Sequence, residues 1–165
     1  MNTYPSLPAV LRQRPHAVAQ IKGIPEYPCI SGNVRLYQTS SGVIVYADIY
    51  GLPCSDRPCQ SCVFGFHIHS GADCTGDMSD PLASAMSHYD PHGCDHPYHA
   101  GDLPPLFGNG GHALTAFLTD RFCVGKVMGK VIIIHDRPDD FTTQPSGNSG
   151  QKIACGVIRK SGRTC

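Results

Sequence analysis

Apolar residues recur along the chain in short runs that alternate with polar residues or are rich in β-branched side chains. A period of two is typical of a half-buried strand, and clusters such as SGNSG at 146–150 mark the turns between strands. The only helical signal is one predicted turn in PLASAM at 81–86. The pattern predicts an all-β sandwich or barrel of seven to eight antiparallel strands. We place these strands at residues 16–23, 31–40, 42–51, 63–70, 112–120, 130–136 and 152–160.

The segments outside the strands define the organisation of the chain. Residues 1–15 are predicted to form an extended N-terminal arm, residues 16–160 a single domain, and residues 161–165 a C-terminal tail. Two further segments, 70–111 and 135–151, are too long and irregular to be tight turns. Long loops inside a compact domain usually carry function. Both loops begin beside a histidine-containing strand, which makes them the expected source of functional side chains.

The composition restricts the partners and the compartment. Thirteen basic residues balance 13 acidic ones, which argues against a nucleic-acid partner. No stretch approaches the roughly 20 apolar residues of a membrane span, and the first residues lack the apolar core of a signal peptide. Nine cysteines, by contrast, favour an oxidising compartment or metal binding. These two observations conflict. We follow the lack of a signal-peptide pattern and expect a cytoplasmic protein, and for the assembly we consider a homodimer.

The stretch GFHIHSG at 65–71 places two histidines on alternate positions of a predicted strand. Successive side chains on a strand point to opposite faces, so His67 and His69 share one face and Ile68 takes the other. Neutral imidazoles suit both copper and zinc. A half-exposed strand with two chance histidines is the alternative, because so short a motif is not specific.

The downstream loops favour the metal interpretation. Residues 88–102 contain four histidines and three aspartates, more than a solvated surface loop requires. The apolar run IIIHD then places His135 at the end of a strand. Asp139 follows four residues later, where a carboxylate can hydrogen-bond a metal ligand and fix its orientation.

Taken together, these motifs resemble the copper-zinc superoxide dismutase family. GFHIH, HYDP, HAGDLP, IIIHDRPDD and GNSGQKIACGVI follow one another in the family's order, within a match that spans residues 16–158. GDLP is similar to bacterial members in particular. The resemblance implies a Greek-key β-barrel of about eight antiparallel strands with two long functional loops. It also implies an enzyme that binds copper and zinc and converts superoxide, a small anion, to oxygen and hydrogen peroxide.

The resemblance also implies a role for each site residue. His88 of HYDP would bridge the two metals, and Asp139 would link a copper ligand to a zinc ligand. The third zinc histidine is left open between His92 and His96 by spacing, and we favour His96. The implied ligands are His67, His69, His88 and His135 for copper, and His88, His96, His99 and Asp102 for zinc.

Lys152 is the main departure from the family, because it occupies the position of an active-site arginine in GNSGQK. Lysine keeps the positive charge but lacks the planar fork that can hold an anion at two points. The resemblance implies that Lys152 and His88 act in catalysis. The alternative is a dismutase-like protein that binds or delivers copper with little turnover.

The cysteines form a second departure. The resemblance pairs Cys74 with Cys155 in a disulfide, which leaves seven cysteines outside the family's pattern. CSDRPCQSC at 54–62 would supply three thiolates to a metal but shows no fourth ligand, and extra disulfides or free thiols are the alternatives. Cys165 is the best candidate for a free or intermolecular thiol, and His16 and His112 are expected at the surface. The seven are Cys29, Cys54, Cys59, Cys62, Cys94, Cys123 and Cys165.

Overall fold

The computed structural model describes residues 6–55, 57 and 62–162, and those residues form nine strands with very little helix. The helical elements are α1 (Leu7–Leu11), α2 (Val124–Val127) and a 3₁₀ turn at Ala83–Ala85. The strands are β1 (Ala17–Gly23), β2 (Ser31–Thr39), β3 (Gly42–Tyr50), β4 (Val63–Phe64), β5 (Phe66–His69), β6 (Leu106–Phe107), β7 (Ala113–Thr119), β8 (Val131–His135) and β9 (Lys152–Lys160).

Seven of the strands form one curled antiparallel sheet in the order β5-β8-β9-β1-β2-β3-β7. β4 and β6 form a separate two-stranded sheet. The chain leaves β3 for β5 at the opposite edge of the large sheet and returns to β3 through β7, so three neighbouring pairs, β5/β8, β9/β1 and β3/β7, are not consecutive in the chain. This all-β arrangement is that of a Greek-key β-barrel, which confirms the fold class expected from the strand pattern.

The observed elements differ from the sequence prediction in three ways. The predicted strand at 63–70 is interrupted at Gly65, so that β4 pairs with β6 while β5 pairs with β8. The predicted arm is not wholly extended, because Leu7–Leu11 form α1 and Val10 packs beside Tyr37 and Ile44. Two short elements, β6 and α2, were not predicted, since two to four residues carry no periodic signal.

β8 separates the two hydrophobic clusters that position the site. Ile132 and Ile134 point into the main core, whereas Val131 and Ile133 point to the outer face, where they pack with Cys155. All five residues of β8 are buried, because residues of the loop at 71–86 cover that outer face. A strand buried on both faces reads as a continuous apolar run. No helix among the residues described is long and apolar enough to cross a membrane.

Candidate metal centre

β5 presents two histidines on the outer face of the sheet. His67 pairs with Ile133 and His69 with Val131 in the antiparallel register, so these histidines share the face of the smaller hydrophobic cluster. Ile68 between them points into the main core. The alternation expected from the sequence is confirmed. Both imidazoles are nevertheless fully buried, which excludes the half-exposed strand that was the alternative.

The loop that follows β5 returns to the free edge of this strand. The Ile68 amide donates to the Gly101 carbonyl at 2.9 Å, and the Tyr89 amide donates to the Ile68 carbonyl at 2.8 Å. β5 is therefore hydrogen-bonded on both sides although it is the last strand of the large sheet. These bonds bring His88 and Asp102 beside the two strand histidines, in isolated bridges with His69 and His67 respectively.

Seven side chains form two groups that share His88. In each group, the candidate ligand atoms all lie within 4.8 Å of one another, and every member is buried. The groups match the copper and zinc sets implied by the resemblance, and their imidazole and carboxylate donors fit copper and zinc. The first group is His67, His69, His88 and His135, and the second is His88, His96, His99 and Asp102.

The hydrogen bonds of the first group leave ring nitrogens free for a cation. His69 Nδ1 lies 2.8 Å from the Met86 carbonyl and His135 Nδ1 lies 3.3 Å from the Gly150 carbonyl. A carbonyl only accepts, so both Nδ1 atoms carry the proton and both Nε2 atoms carry a lone pair. Those two Nε2 atoms are 3.3 Å apart. Two lone pairs this close repel each other unless a cation or a proton lies between them.

Three other ring nitrogens also indicate that the two groups are built to bind cations. His67 Nδ1, His88 Nε2 and His96 Nδ1 are buried and have no hydrogen-bond partner among the residues described. His96 Nδ1 lies 3.1 Å from Asp102 Oδ2, but the alignment is not that of a hydrogen bond. Buried polar atoms are rarely left unsatisfied. Bound metal ions would satisfy these nitrogens, so the residues present fit the cofactors.

Asp139 connects the two groups from the far side. Its Oδ2 accepts a hydrogen bond from His67 Nε2 at 2.7 Å, and its Oδ1 accepts one from His96 Nε2 at 2.9 Å. Because a carboxylate accepts, it fixes the proton on Nε2 of each ring and turns Nδ1 toward the metal groups. Asp139 thus holds one histidine from each group in a single orientation.

Burial and these hydrogen bonds shift the pKa values in the direction that metal binding requires. Burial lowers the pKa of His69 well below its usual value and that of His135 to about 3. Burial alone would raise the pKa of Asp139, but hydrogen bonds from His67, the Phe141 amide and His96 outweigh it and lower that pKa to about 2. The imidazoles of His69 and His135 are therefore neutral and the Asp139 carboxylate is ionised at neutral pH, which are the forms that bind metal or orient its ligands.

Two residues that the sequence analysis missed, Arg121 and Gln144, hold the loops in place. Arg121 Nη1 donates to the carbonyl oxygens of Pro97, His99 and Asp102 at 2.8, 3.2 and 3.2 Å. The Gln144 side chain accepts from the His96 amide at 2.9 Å and donates to the His96 carbonyl at 2.7 Å. A lone arginine and a lone glutamine carry no motif, so their roles become visible only in the folded chain.

Gly147 is a third residue that the sequence analysis missed, and it has a positive φ of 67°. It lies so close to Asp139 and His96 that any Cβ would collide with both side chains. A residue with a side chain is therefore excluded here by both conformation and space. Glycine clusters in the sequence indicated a turn, but not this contact.

Lys152 lies at a surface cleft of about 360 Å³ that is also lined by His69, His88, His99 and His135. The first residue of β9, it is the cross-strand partner of His135. Its ammonium is not free, because Nζ donates to Asp80 Oδ2 at 2.6 Å and to the Leu82 carbonyl at 2.9 Å. The expected cation thus lines the same cleft as these histidines, but it is paired with a carboxylate that the sequence did not reveal.

The remaining predicted residues have distinct environments. His92 is exposed, whereas His96 belongs to the second group.

Cys74 and Cys155 form the expected disulfide. Cys54 and Cys62 form a second one, so this segment is not a free trithiolate site, while Cys59 and Cys165 lie outside the described residues. Cys29, Cys94 and Cys123 are exposed free thiols.

The two histidines expected at the surface lie outside both groups. His16 is exposed, and His112 is half-buried with Nε2 at 2.8 Å from Asp48.

Comparisons with known proteins agree with this geometry. Residues 30–158 match the family model described as copper/zinc superoxide dismutase. Superoxide dismutase (Cu-Zn) 2 of Aquifex aeolicus is 33% identical over 145 residues, which cover 79% of this chain and 80% of that protein. The corresponding enzyme of Legionella pneumophila is 34% identical over 140 residues, covering 80% of each chain. That of Escherichia coli is 31% identical over 142 residues, covering 78% of each.

Proposed function

The chain belongs to the copper/zinc superoxide dismutase family, and we propose that the two side-chain groups sharing His88 form its active centre. The reaction converts two superoxide ions and two protons into one molecule of oxygen and one of hydrogen peroxide. The first group, with four histidines, is assigned to copper, and the second, with three histidines and Asp102, to zinc.

One observation carries this proposal above all others. A single buried ring, His88, belongs to both groups, and its two nitrogens face different ones. His88 Nδ1 lies 2.7 Å from Asp102 Oδ1 in the second group, while Nε2 has no partner among the described residues and is left for the first. A protein that only stored copper would have no need for an imidazole shared with a second site.

The chemistry divides between the cofactors and the chain. Copper supplies a one-electron couple when bound, whereas zinc has no redox chemistry and fixes structure. The chain would contribute His88 Nε2 as a copper ligand, and when that nitrogen is not bound to the metal it could hold a proton for the peroxide product. Asp139 keeps His67 and His96 in the required tautomer, and burial lowers the pKa of His69 and His135 and so keeps them neutral.

Lys152 is proposed to attract and orient superoxide at the mouth of the cleft. Its side chain is 17% exposed and shares the cleft with the copper histidines. A positive charge at that place concentrates a small anion near the site. A lysine does so as a point charge, without the two-point grip of a guanidinium.

Metal analysis combined with a superoxide-decay assay tests the proposed function. The purified chain, loaded with copper and zinc, should contain one of each metal and accelerate superoxide decay, whereas the metal-free chain should not. Lys152→Ala should slow the reaction strongly at equal copper content, and Lys152→Arg should match or exceed the original rate. Full copper content with negligible turnover would instead favour the alternative, a copper-binding or copper-delivery protein.

Assembly and location remain predictions. A homodimer would appear as twice the chain mass in light scattering of the purified protein. A cytoplasmic location would be shown by fractionation of the source cells, and recovery outside the cytoplasm would contradict it. Binding to nucleic acid is not expected, and a mobility-shift assay at low salt would test that.

A further inference from the structure

The contacts of Lys152 differ from those of a cation held ready for an anion. Its ammonium donates to the carboxylate of Asp80 at 2.6 Å and to the Leu82 carbonyl at 2.9 Å. These two acceptors occupy at least two of its three protons. The Lys152 side chain is 17% exposed and that of Asp80 is 41% exposed, so the pair is open to solvent, with Lys152 lining both the cleft of the copper histidines and the neighbouring depression that Asp80 lines.

Asp80 is itself fixed by the loop that carries it. Its Oδ1 accepts a hydrogen bond from the Leu82 amide at 3.0 Å, and its carbonyl accepts from the amides of Asp77 and Ala83, each at 3.0 Å. The same loop is tied to β9 by the Cys74–Cys155 disulfide, three residues beyond Lys152. The carboxylate is therefore preorganised to meet the ammonium.

We propose that Asp80 is a positioning residue that restrains Lys152 and cancels much of its charge, and so limits the rate at which superoxide enters the site. This inference rests on the proposed dismutase function. It assigns Asp80 as the residue that tunes capture of the anionic substrate. Close opposite charges leave only a short-range dipole at the cleft, whereas an unpaired ammonium acts over a Debye length of about 8–10 Å.

Asp80→Asn tests the proposal because it removes the charge but keeps an oxygen that can accept from Lys152. A unit charge about 9 Å from the path of an anion changes its encounter rate in water by about twofold. We therefore expect the second-order rate constant of the copper- and zinc-loaded variant to rise by about twofold or more at low salt. Its decline with ionic strength should also become steeper. Asp80→Glu, which keeps the charge near Lys152, should raise the rate less than Asp80→Asn.

Glu26→Gln is the matched control. Glu26 is exposed and lies at a surface depression also lined by Asp80 and Lys152, and its substitution changes the net charge equally. If the effect depends on the contact with Lys152, Glu26→Gln should change the rate and its salt dependence much less. The background Lys152→Gln completes a double-mutant cycle, in which Asp80→Asn should lose most of its effect.

Chemical labelling gives a readout that does not depend on turnover. Acetylation of Lys152 by limiting acetic anhydride, measured by mass spectrometry against exposed Lys126, should increase about threefold or more in Asp80→Asn and stay unchanged in Glu26→Gln. If the loaded protein has no dismutase activity, the proposed function fails while labelling still reports the pair. If the protein is active but Asp80→Asn leaves the rate unchanged or lower at equal metal content, the inference about Asp80 is overturned. An equal increase in the Lys152→Gln background overturns it as well.

Discussion

The disulfide between Cys74 and Cys155 makes a quantitative prediction possible, because the chain contains a second disulfide of very different span. Cys74 and Cys155 are 81 positions apart, whereas Cys54 and Cys62 are 8 apart. The perturbation is replacement of both cysteines of one pair by alanine, in the metal-free chain. Removing the metals confines the comparison to the polypeptide.

The expected losses of stability follow from the length of the closed loop. In the chain-entropy model, a loop of about 80 residues corresponds to about 4.5 kcal/mol, and a loop of about 8 residues to about 2.5 kcal/mol. The longer disulfide also tethers the loop that covers β8, where Cys155 is buried with Val131 and Ile133. We therefore expect loss of the Cys74–Cys155 disulfide to destabilise the chain by about 2 kcal/mol more than loss of the Cys54–Cys62 disulfide.

Urea unfolding at neutral pH, followed by circular dichroism without reductant, measures both differences. Every cysteine outside the two disulfides, namely Cys29, Cys59, Cys94, Cys123 and Cys165, is replaced by serine in every variant to prevent exchange. Alkylation followed by peptide mapping confirms that the retained disulfide is intact. Equal losses for the two pairs, or a larger loss for the shorter one, would refute the loop-length argument. Free alkylation of Cys74 and Cys155 in the native, metal-loaded protein would refute the disulfide itself.

Three further predictions concern the metal centre. Asp139→Asn should lower metal affinity by about 10- to 100-fold, because His67 and His96 lose the carboxylate that orients them; competition with a chelator measures this, and unchanged affinity would contradict it. His96→Ala should lose zinc while His92→Ala retains it, as metal analysis of the two proteins will show; zinc loss in His92→Ala alone would reverse the assignment. The pKa of His135 is lowered by burial from 6.5 to about 3, so the unfolded chain takes up a proton near pH 6.5 and the folded chain does not. Stability of the metal-free chain is then complete above pH 6.5 and decreases as the pH falls toward 3, which urea midpoints at pH 7.5 and 5.5 will detect; equal midpoints would oppose this.

The sequence by itself determined the strand pattern and the identity of the candidate metal-binding side chains. Alternation and β-branched runs have a fixed relation to the two faces of a strand, so the positions of all the described strands except β6 were predictable, with β4 and β5 as one run, and so was the shared face of His67 and His69. The H-x-H pair and the cluster at 88–102 named the candidate ligands, because imidazole and carboxylate chemistry belongs to the residues themselves. The Cys74–Cys155 disulfide came from the resemblance of the motifs to the family.

Only the tertiary structure decided between residues of equal chemistry. His92 and His96 are both histidines in the same loop, and the contact of His96 Nε2 with Asp139, 43 positions away, separates them. Likewise, nothing in the sequence near Lys152 indicates that its ammonium contacts the carboxylate of Asp80, 72 positions earlier. The side chains of Arg121 and Gln144 bind backbone carbonyl and amide groups of other residues. Backbone groups occur at every position, so no sequence motif marks such contacts. Local patterns fix which side of a strand a residue faces, but which distant groups meet depends on how the loops pack, and the whole chain sets that packing.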